Sequence, residues 1–387
     1  MHCKICGKFN CKEHSFLLGE TRELREFSGS SPPEIFVGKW NYPNVYTGIL
    51  SPVGYGETQV FSSAELWHER KLQIPEILNF RKKLIYARVK NSIKNIFKKD
   101  NFTGVFHEIA MASKPAAIEF KLKKPVFRND ERESSVPLIK NSAPIDSVRL
   151  EENTKIESKV DSIVNDSDVK ATQSLVELEK SGINTSTIIK LLSAGLLGKT
   201  KTRKLVPTRW SITAVDDTLS KNKLEKIRNY PQINEILVFT AEYLGNHYEI
   251  LLLPEEYSFE VIEISLRGMG IWHDYETFFG RKDYAASVTG AYYANRLALT
   301  EYLEKIKRQA KCVIFRQVSE EYYAPLGVGI LRQVSREAYT KLPEKFSNLK
   351  EALEKIQTRV KIPLTNYTNK SVLLSNYGKQ RKIKDYF

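Results

Sequence analysis

Four residues near the start of the chain have the types and spacing of a metal site: Cys3, Cys6, Cys11 and His14. The two-residue gaps in Cys3-x2-Cys6 and Cys11-x2-His14 let neighbouring side chains reach one ion. Three thiolates and one imidazole suit tetrahedral Zn²⁺, and a filled shell leaves no open position, so the expected role is structural. Gly7 permits the tight turn of such a knuckle. A chance run of cysteines is the plainer reading, but three of the chain's four cysteines fall within its first eleven residues. That clustering is not a disulfide framework. Lys4, Lys8 and Lys12 surround the cluster and could bring it against nucleic acid.

Two groups of acids could support hydrolysis. IWHDYETFFGRKDY places His273, Asp274, Glu276, Arg281, Lys282 and Asp283 close together, and Asp216-Asp217 follow a short β-like run from Trp210 to Val215. Carboxylates of this kind can hold Mg²⁺ or Mn²⁺, which activates water and steadies a leaving phosphate oxygen. The expected catalytic set is Asp216, Asp217, Asp274, Glu276 and Asp283. Each has a plainer reading: a surface ion pair, a turn or cap at Asp217, an N-cap at Asp283 for a helix from Tyr284. Glu108, after His107, and Glu119 lie in apolar surroundings where a buried carboxylate needs a partner.

KTKTRKLVPTRW interleaves Lys199, Lys201, Arg203, Lys204 and Arg209 with threonine and Trp210. Cations beside an aromatic suit phosphate contacts and base stacking, with Arg203 and Arg209 expected on phosphates. The net charge of +14 is unevenly placed: residues 129–169 hold 10 acids and 5 bases, which leaves the remainder at +19. A body this basic attracts polyanions, nucleic acid foremost, although a lysine-rich surface can also serve solubility or thermostability. GLLGKT falls short of a phosphate-binding loop, because Ser193 stands where its first glycine belongs. An RNA-binding zinc protein of the translation apparatus would fit the charge and the knuckle, but not the tail.

That tail is KQRKIKDYF. A single 3₁₀ turn would stack Ile383 and Tyr386, with Phe387 alongside and Gln380 free to hydrogen-bond. Gln380-x-x-Ile383-x-x-Tyr386-Phe387 resembles the PCNA-interacting peptide that docks proteins on the sliding clamp, with Tyr386 where that peptide often has Phe. Flanking Lys and Arg would assist encounter with an acidic clamp. The alternative is an end folded onto the protein's own core.

To position these groups, the sequence predicts a mixed α+β fold, a largely antiparallel sheet with packed helices plus the small zinc knuckle. The expected parts are a Cys/His segment with a charged helical stretch over 1–26, a first core part over 27–128 and a flexible acidic insertion or linker over 129–169. A second core part over 170–365 and a tail over 366–387 follow. AELWHERKLQIPEILNFRKKLIYARVK reads as helical with an interruption at Pro75. INEILVFTAEYLGNHYEILLLP reads as a hairpin turning at LGN, with SFEVIEISL as a third strand. CVIFRQVSE and GVGILRQV read as strands, residues 283–309 and EKFSNLKEALEKIQTRV as helices. No run of eighteen apolar residues and no secretory h-region is present, so no membrane partner is expected and a cytoplasmic, nucleoid-associated location is.

The chain resembles the archaeal Nre family of DNA repair proteins. The likeness rests on FSGSSPPEIFVGKWNYPNVYTGILSP, AMASKPAAIEFKL, LLGKTKTRKLVPTRWSITAVDD and YETFFGRKDYAASVTGAYYANR in that order, together with the Cys/His knuckle and the terminal motif. It implies a clamp-associated factor acting on damaged DNA. Two forms of that role are expected: a metal-dependent DNA nuclease, or a non-catalytic adaptor that binds DNA and clamp.

Overall fold

The computed structural model describes residues 23–128 and 135–379. The Cys/His quartet and the terminal motif both lie outside them. The described chain divides into two compact units, one running through Leu219 and taking in Tyr323–Ile330, the other made of Ser220–Tyr322 and the residues from Leu331 onward.

The first unit is built on β1 (Glu26–Ser31), β2 (Ile35–Val37), β3 (Asn44–Ser51), β4 (Ile85–Ser92), β5 (Ala116–Leu122), β6 (Phe127–Arg128) and β7 (Asn141–Leu150). They form a sheet in the order β1-β5-β7-β4-β3-β2, with β6 against β7. Every pair is antiparallel except β4 with β7. Helices α1 (Ala64–Glu69), α2 (Ile74–Lys83), α3 (Asn101–Met111), α4 (Ser158–Asn165), α5 (Ala171–Lys180), α6 (Thr185–Ser193) and the start of α7 (Thr208–Ile227) complete it. Their starts follow local chemistry: the side chains of Ser63, Asp100 and Asn184 accept the N–H groups of Leu66, Thr103 and Thr187, and Pro75 sits in the first turn of α2, where its missing N–H costs nothing.

The second unit has β8 (Ile236–Tyr243), β9 (Asn246–Leu253), β10 (Ser258–Ser265), β11 (Ile271–Glu276), β12 (Lys311–Val318) and β13 (Glu344–Phe346), in the order β11-β10-β12-β9-β8-β13. Its helices are α8 (Gly290–Ile306), α9 (Val328–Ala338) from Leu331 onward, α10 (Leu349–Gln357), α11 (Thr365–Thr368) and α12 (Val372–Ser375). Leu251, Leu253, Ile262, Ile264, Val313 and Phe315 on one face of the sheet pack against Ala352, Ile356, Leu364 and Tyr367. The other face meets α8, where Phe259 contacts Tyr292 and Phe239 contacts Tyr302.

Two mixed sheets with packed helices bear out the α+β expectation, and the LGN hairpin forms as read. Leu244 and Gly245 both take left-handed φ, 51° and 70°, the geometry of a two-residue hairpin turn that matches strand twist.

Other expectations fail for physical reasons. Of the stretch expected as a flexible linker over 129–169, the described residues 135–169 are not loose: β7 runs through them between β4 and β5, with Ala143, Ile145 and Val148 buried. Pairing on both edges overrides its polar composition. GVGILRQV belongs to helix α9, where Val328, Leu331, Val334 and Ala338 are buried at helical spacing. Trp210 to Val215 is helix, because Ile212, Val215 and Leu219 share one buried face. β10 does not extend the β8–β9 hairpin: β12 lies between β9 and β10 and runs parallel to β10. Helix α8 begins at Gly290, so Asp283 does not cap it. Among the described residues, no helix is long and apolar enough to cross a membrane.

Candidate functional site

Three loops of the first unit carry cations and exposed aromatics, and backbone hydrogen bonds tie them together. The turn between β2 and β3 displays Trp40 and Tyr42, 53% and 42% exposed, beside the half-buried Lys39. The segment after β4 displays Lys94, Lys98, Lys99 and Phe97, the last 57% exposed. The third is the basic stretch Lys199 to Trp210, with Lys199, Lys201 and Lys204 in solvent and Trp210 45% exposed. Ile93 N donates to Pro43 O at 3.0 Å and Leu205 N donates to Ile93 O at 2.9 Å. Val37 N donates to Thr208 Oγ1 at 2.9 Å, which pins the β2–β3 turn to the start of α7. Tyr42 and Trp210 then stand 5.1 Å apart between ring centroids.

The basic stretch is held from beneath. Leu196, Leu197 and Leu205 are buried, and Ser193 and Val206 exchange two bonds, at 3.0 Å from Val206 N and 2.8 Å from Ser193 Oγ. Gly195 takes φ +73, and a Cβ there would meet Lys204 O at 2.7 Å, so a close backbone approach fixes this glycine.

Arg203 does not share the outward aim of its neighbours. Its guanidinium donates to Gly198 O at 2.7 Å, Val164 O at 2.9 Å and Asp166 O at 2.7 Å. It binds the loop to the end of α4, so the cations of this stretch that remain at the surface are Lys199, Lys201, Lys204 and the half-buried Arg209. Near it, burial and the Arg203 charge push the His107 imidazole down to about 4, against a smaller opposing effect of a backbone hydrogen bond with Ala194.

In the second unit two of the acids expected to be catalytic, Asp274 and Glu276, are committed to other partners. Asp274 on β11 is buried; its Oδ2 accepts the N–H groups of Ser287 at 3.0 Å and Val288 at 2.6 Å, while Arg281 Nη2 lies 3.1 Å from Oδ1. The carboxylate thereby holds the loop that enters α8, whose last residue, Thr289, takes φ 58. Glu276 faces Arg296 Nη1 at 2.7 Å and accepts from the Tyr257 hydroxyl at 2.7 Å. His273 Nε2 lies 2.6 Å from Glu260 Oε1, and Glu260 also accepts Val372 N at 2.8 Å at the start of α12. Asp283 is exposed, and its carbonyl accepts Arg281 Nε at 3.3 Å. Carboxylates filled by guanidinium, hydroxyl and amide donors do not fit a catalytic Mg²⁺ or Mn²⁺.

Asp216 and Asp217 belong to the first unit and sit side by side on α7, Asp216 sealed and Asp217 part-exposed. Adjacent helix positions project roughly 100° apart, so the pair does not present two carboxylates to one ion. Glu119 pairs with Arg149 at 2.8 Å, and Glu108 accepts the Thr154 hydroxyl. Among the described residues, no group of three or more His, Cys, Asp or Glu is arranged to hold a metal ion.

Sequence reasoning missed two features. The exposed Trp40, Tyr42 and Phe97 were not singled out, and the fold brings Tyr42 beside Trp210; an aromatic next to lysine in KWNYP and in NIFKK was the available signal. The other is a charged cluster in the first unit. Arg81, sealed from solvent, meets Glu34 Oε2 at 2.5 Å, and Glu65 accepts the hydroxyls of Ser63, at 3.2 Å, and Ser186. Lys190 Nζ donates to Ala112 O at 3.4 Å. Burial pulls the Lys190 ammonium down to about 8, although Glu34, Glu65 and Glu157 act in the opposite sense.

Two family models cover the chain, and their boundary near residue 275 does not coincide with the division into units after Leu219. The model described as "Archaeal Nre, N-terminal" matches residues 1–273, and "Archaeal Nre, C-terminal" matches residues 276–386. The chain is 32% identical to the DNA repair protein NreB of Archaeoglobus fulgidus, across 99% of this chain and 97% of that one. It is 34% identical to the DNA repair protein NreA of the same organism, across 92% and 91%. With the DNA repair protein NreA of Haloferax volcanii it shares 32% identity across 95% and 90%. No solved structure matches the chain. Matched by both family models along nearly its whole length, this chain belongs to the archaeal Nre family.

Proposed function

We propose that the chain is a DNA repair factor that binds DNA through the basic and aromatic surface of its first unit and docks on the PCNA sliding clamp through Gln380, Ile383, Tyr386 and Phe387. The observation that carries this reading is the convergence of three loops bearing Lys39, Lys94, Lys98, Lys99, Lys199, Lys201, Lys204 and Arg209 around exposed aromatics. Cations placed this way neutralise phosphates, and aromatics add stacking. The names of the relatives, all DNA repair proteins, supply the biological setting.

A binding factor fits better than a nuclease. Asp274 and Glu276 are occupied by protein donors, and Asp216 and Asp217 diverge on their helix. Incubating the purified chain with labelled DNA and Mg²⁺ or Mn²⁺ is expected to give a retarded complex and uncut DNA. Cleavage lost on Asp216→Ala, Asp217→Ala or Asp274→Ala would restore the nuclease reading.

The tail and the knuckle have their own tests. Removing residues 380–387 is expected to abolish clamp binding with folding and DNA affinity kept; unfolding on truncation would show the tail to be core. The cysteine–histidine quartet should carry about one zinc per chain, lost on Cys6→Ser; a protein purified without zinc at that stoichiometry refutes the knuckle.

A further inference from the structure

We propose that Trp40, Tyr42 and Trp210 form a stacking platform for unpaired bases, so that the DNA this surface takes is single-stranded rather than closed duplex. The inference rests on the DNA-binding reading above and adds the kind of DNA. In a duplex the base faces are covered, and a basic surface needs only cations to hold its phosphates. Large aromatic side chains standing in solvent among cations gain a partner only when bases are unstacked.

The geometry suits that role. Tyr42 and Trp210 are near neighbours but tilted by 54°, so their ring faces are not spent on one another. Lys39 Nζ covers one face of the Trp40 ring, 4.6 Å from its centroid, so a base would take the opposite face of this exposed indole. The turn bearing Trp40 and Tyr42 is fixed rather than slack. Gly38 N donates to Tyr46 O at 2.9 Å, Asn44 N to Asn41 O at 2.8 Å, and Asn41 takes φ 62. On the other side, Trp210 N donates to Pro207 O at 2.8 Å in the first turn of α7. Rigid aromatics lose little freedom on binding, and the lysines of the neighbouring loops can follow the strand that leads to them.

The test uses the full chain, an oligothymidylate, a blunt duplex of equal length and an oligouridylate. Binding is followed at fixed salt by anisotropy and by quenching of tryptophan emission. The oligothymidylate is expected to bind at least about tenfold tighter than the duplex and to quench emission. Trp40→Ala and Trp210→Ala should each weaken it by about tenfold, with Trp40→Phe and Trp210→Phe retaining most of the affinity. Equal affinity for both DNAs, reduced by lysine substitutions and untouched by the tryptophan ones, overturns the platform and leaves the DNA-binding reading standing. Binding to neither DNA overturns both. Tighter binding to oligouridylate overturns the assignment to DNA.

Discussion

Glu276 and Arg296 form a sealed ion pair in the second unit, 2.7 Å apart, with β11 supplying the acid and α8 the base. Tyr257 fills the other carboxylate oxygen, and the guanidinium lies 5.3 Å from the Tyr293 ring centroid. Removing one partner leaves a buried charge without compensation, so Glu276→Ala should cost about 3–5 kcal/mol. Urea unfolding measures it. A Glu276→Ala protein with an unchanged midpoint would show that the pair does not hold β11 to α8.

How far such a site can be read in advance depends on where each partner comes from. IWHDYE shows its carboxylates plainly, but their neutralisers arrive from elsewhere: Arg281 from the following loop, Arg296 twenty residues on, the amides of Ser287 and Val288 from a non-helical turn. Periodicity carried the β8–β9 hairpin and most of α8. It failed at Trp210 to Val215, where aromatic and β-branched residues imitate a strand and tertiary burial of Ile212, Val215 and Leu219 decides for helix. β7 was hidden for the opposite reason, since its serines and aspartate look solvated until β4 and β5 pair with it.

Lys190 should react as an unusually nucleophilic amine. Its ammonium is pulled down from 10.5 to about 8, chiefly by burial. In this window the unfolded chain holds the proton that the folded chain has released, so stability should rise with pH from about 8 toward 10.5. Reductive methylation followed by peptide mapping should show the Lys190 rate reaching half its maximum near pH 8, at lower pH than the surface lysines. Modification in step with the bulk lysines would contradict the assignment, and Lys190→Met should remove the alkaline rise.

His107 should make the protein acid-sensitive. Its folded pKa of about 4 lies below the ordinary 6.5, because burial and the Arg203 charge both oppose the proton. The contribution is complete above 6.5 and is lost as pH falls through 4, because the unfolded chain takes up a proton that the native state refuses. His107→Gln should flatten the urea midpoint between pH 6.5 and 4.5, while the wild-type midpoint declines. Parallel profiles would sink the idea.

Arg203 and its lysine neighbours should separate in a paired measurement of stability and salt dependence. Lys199, Lys201 and Lys204 are exposed, and exchanging all three for alanine should leave the unfolding free energy within about 0.5 kcal/mol of the parent. If each contacts one phosphate of a single strand, the slope of log affinity against log salt should shrink by about 0.7 per residue, or roughly 2.1 in all. Arg203→Ala acts differently: Gly198, Val164 and Asp166 each lose the donor to their carbonyls, so stability should fall before any change in salt slope. Arg203→Lys, with a single ammonium in place of a three-way fork, should recover only part of that loss. The opposite pattern, a stable Arg203→Ala protein with a reduced salt slope, would return Arg203 to the phosphates.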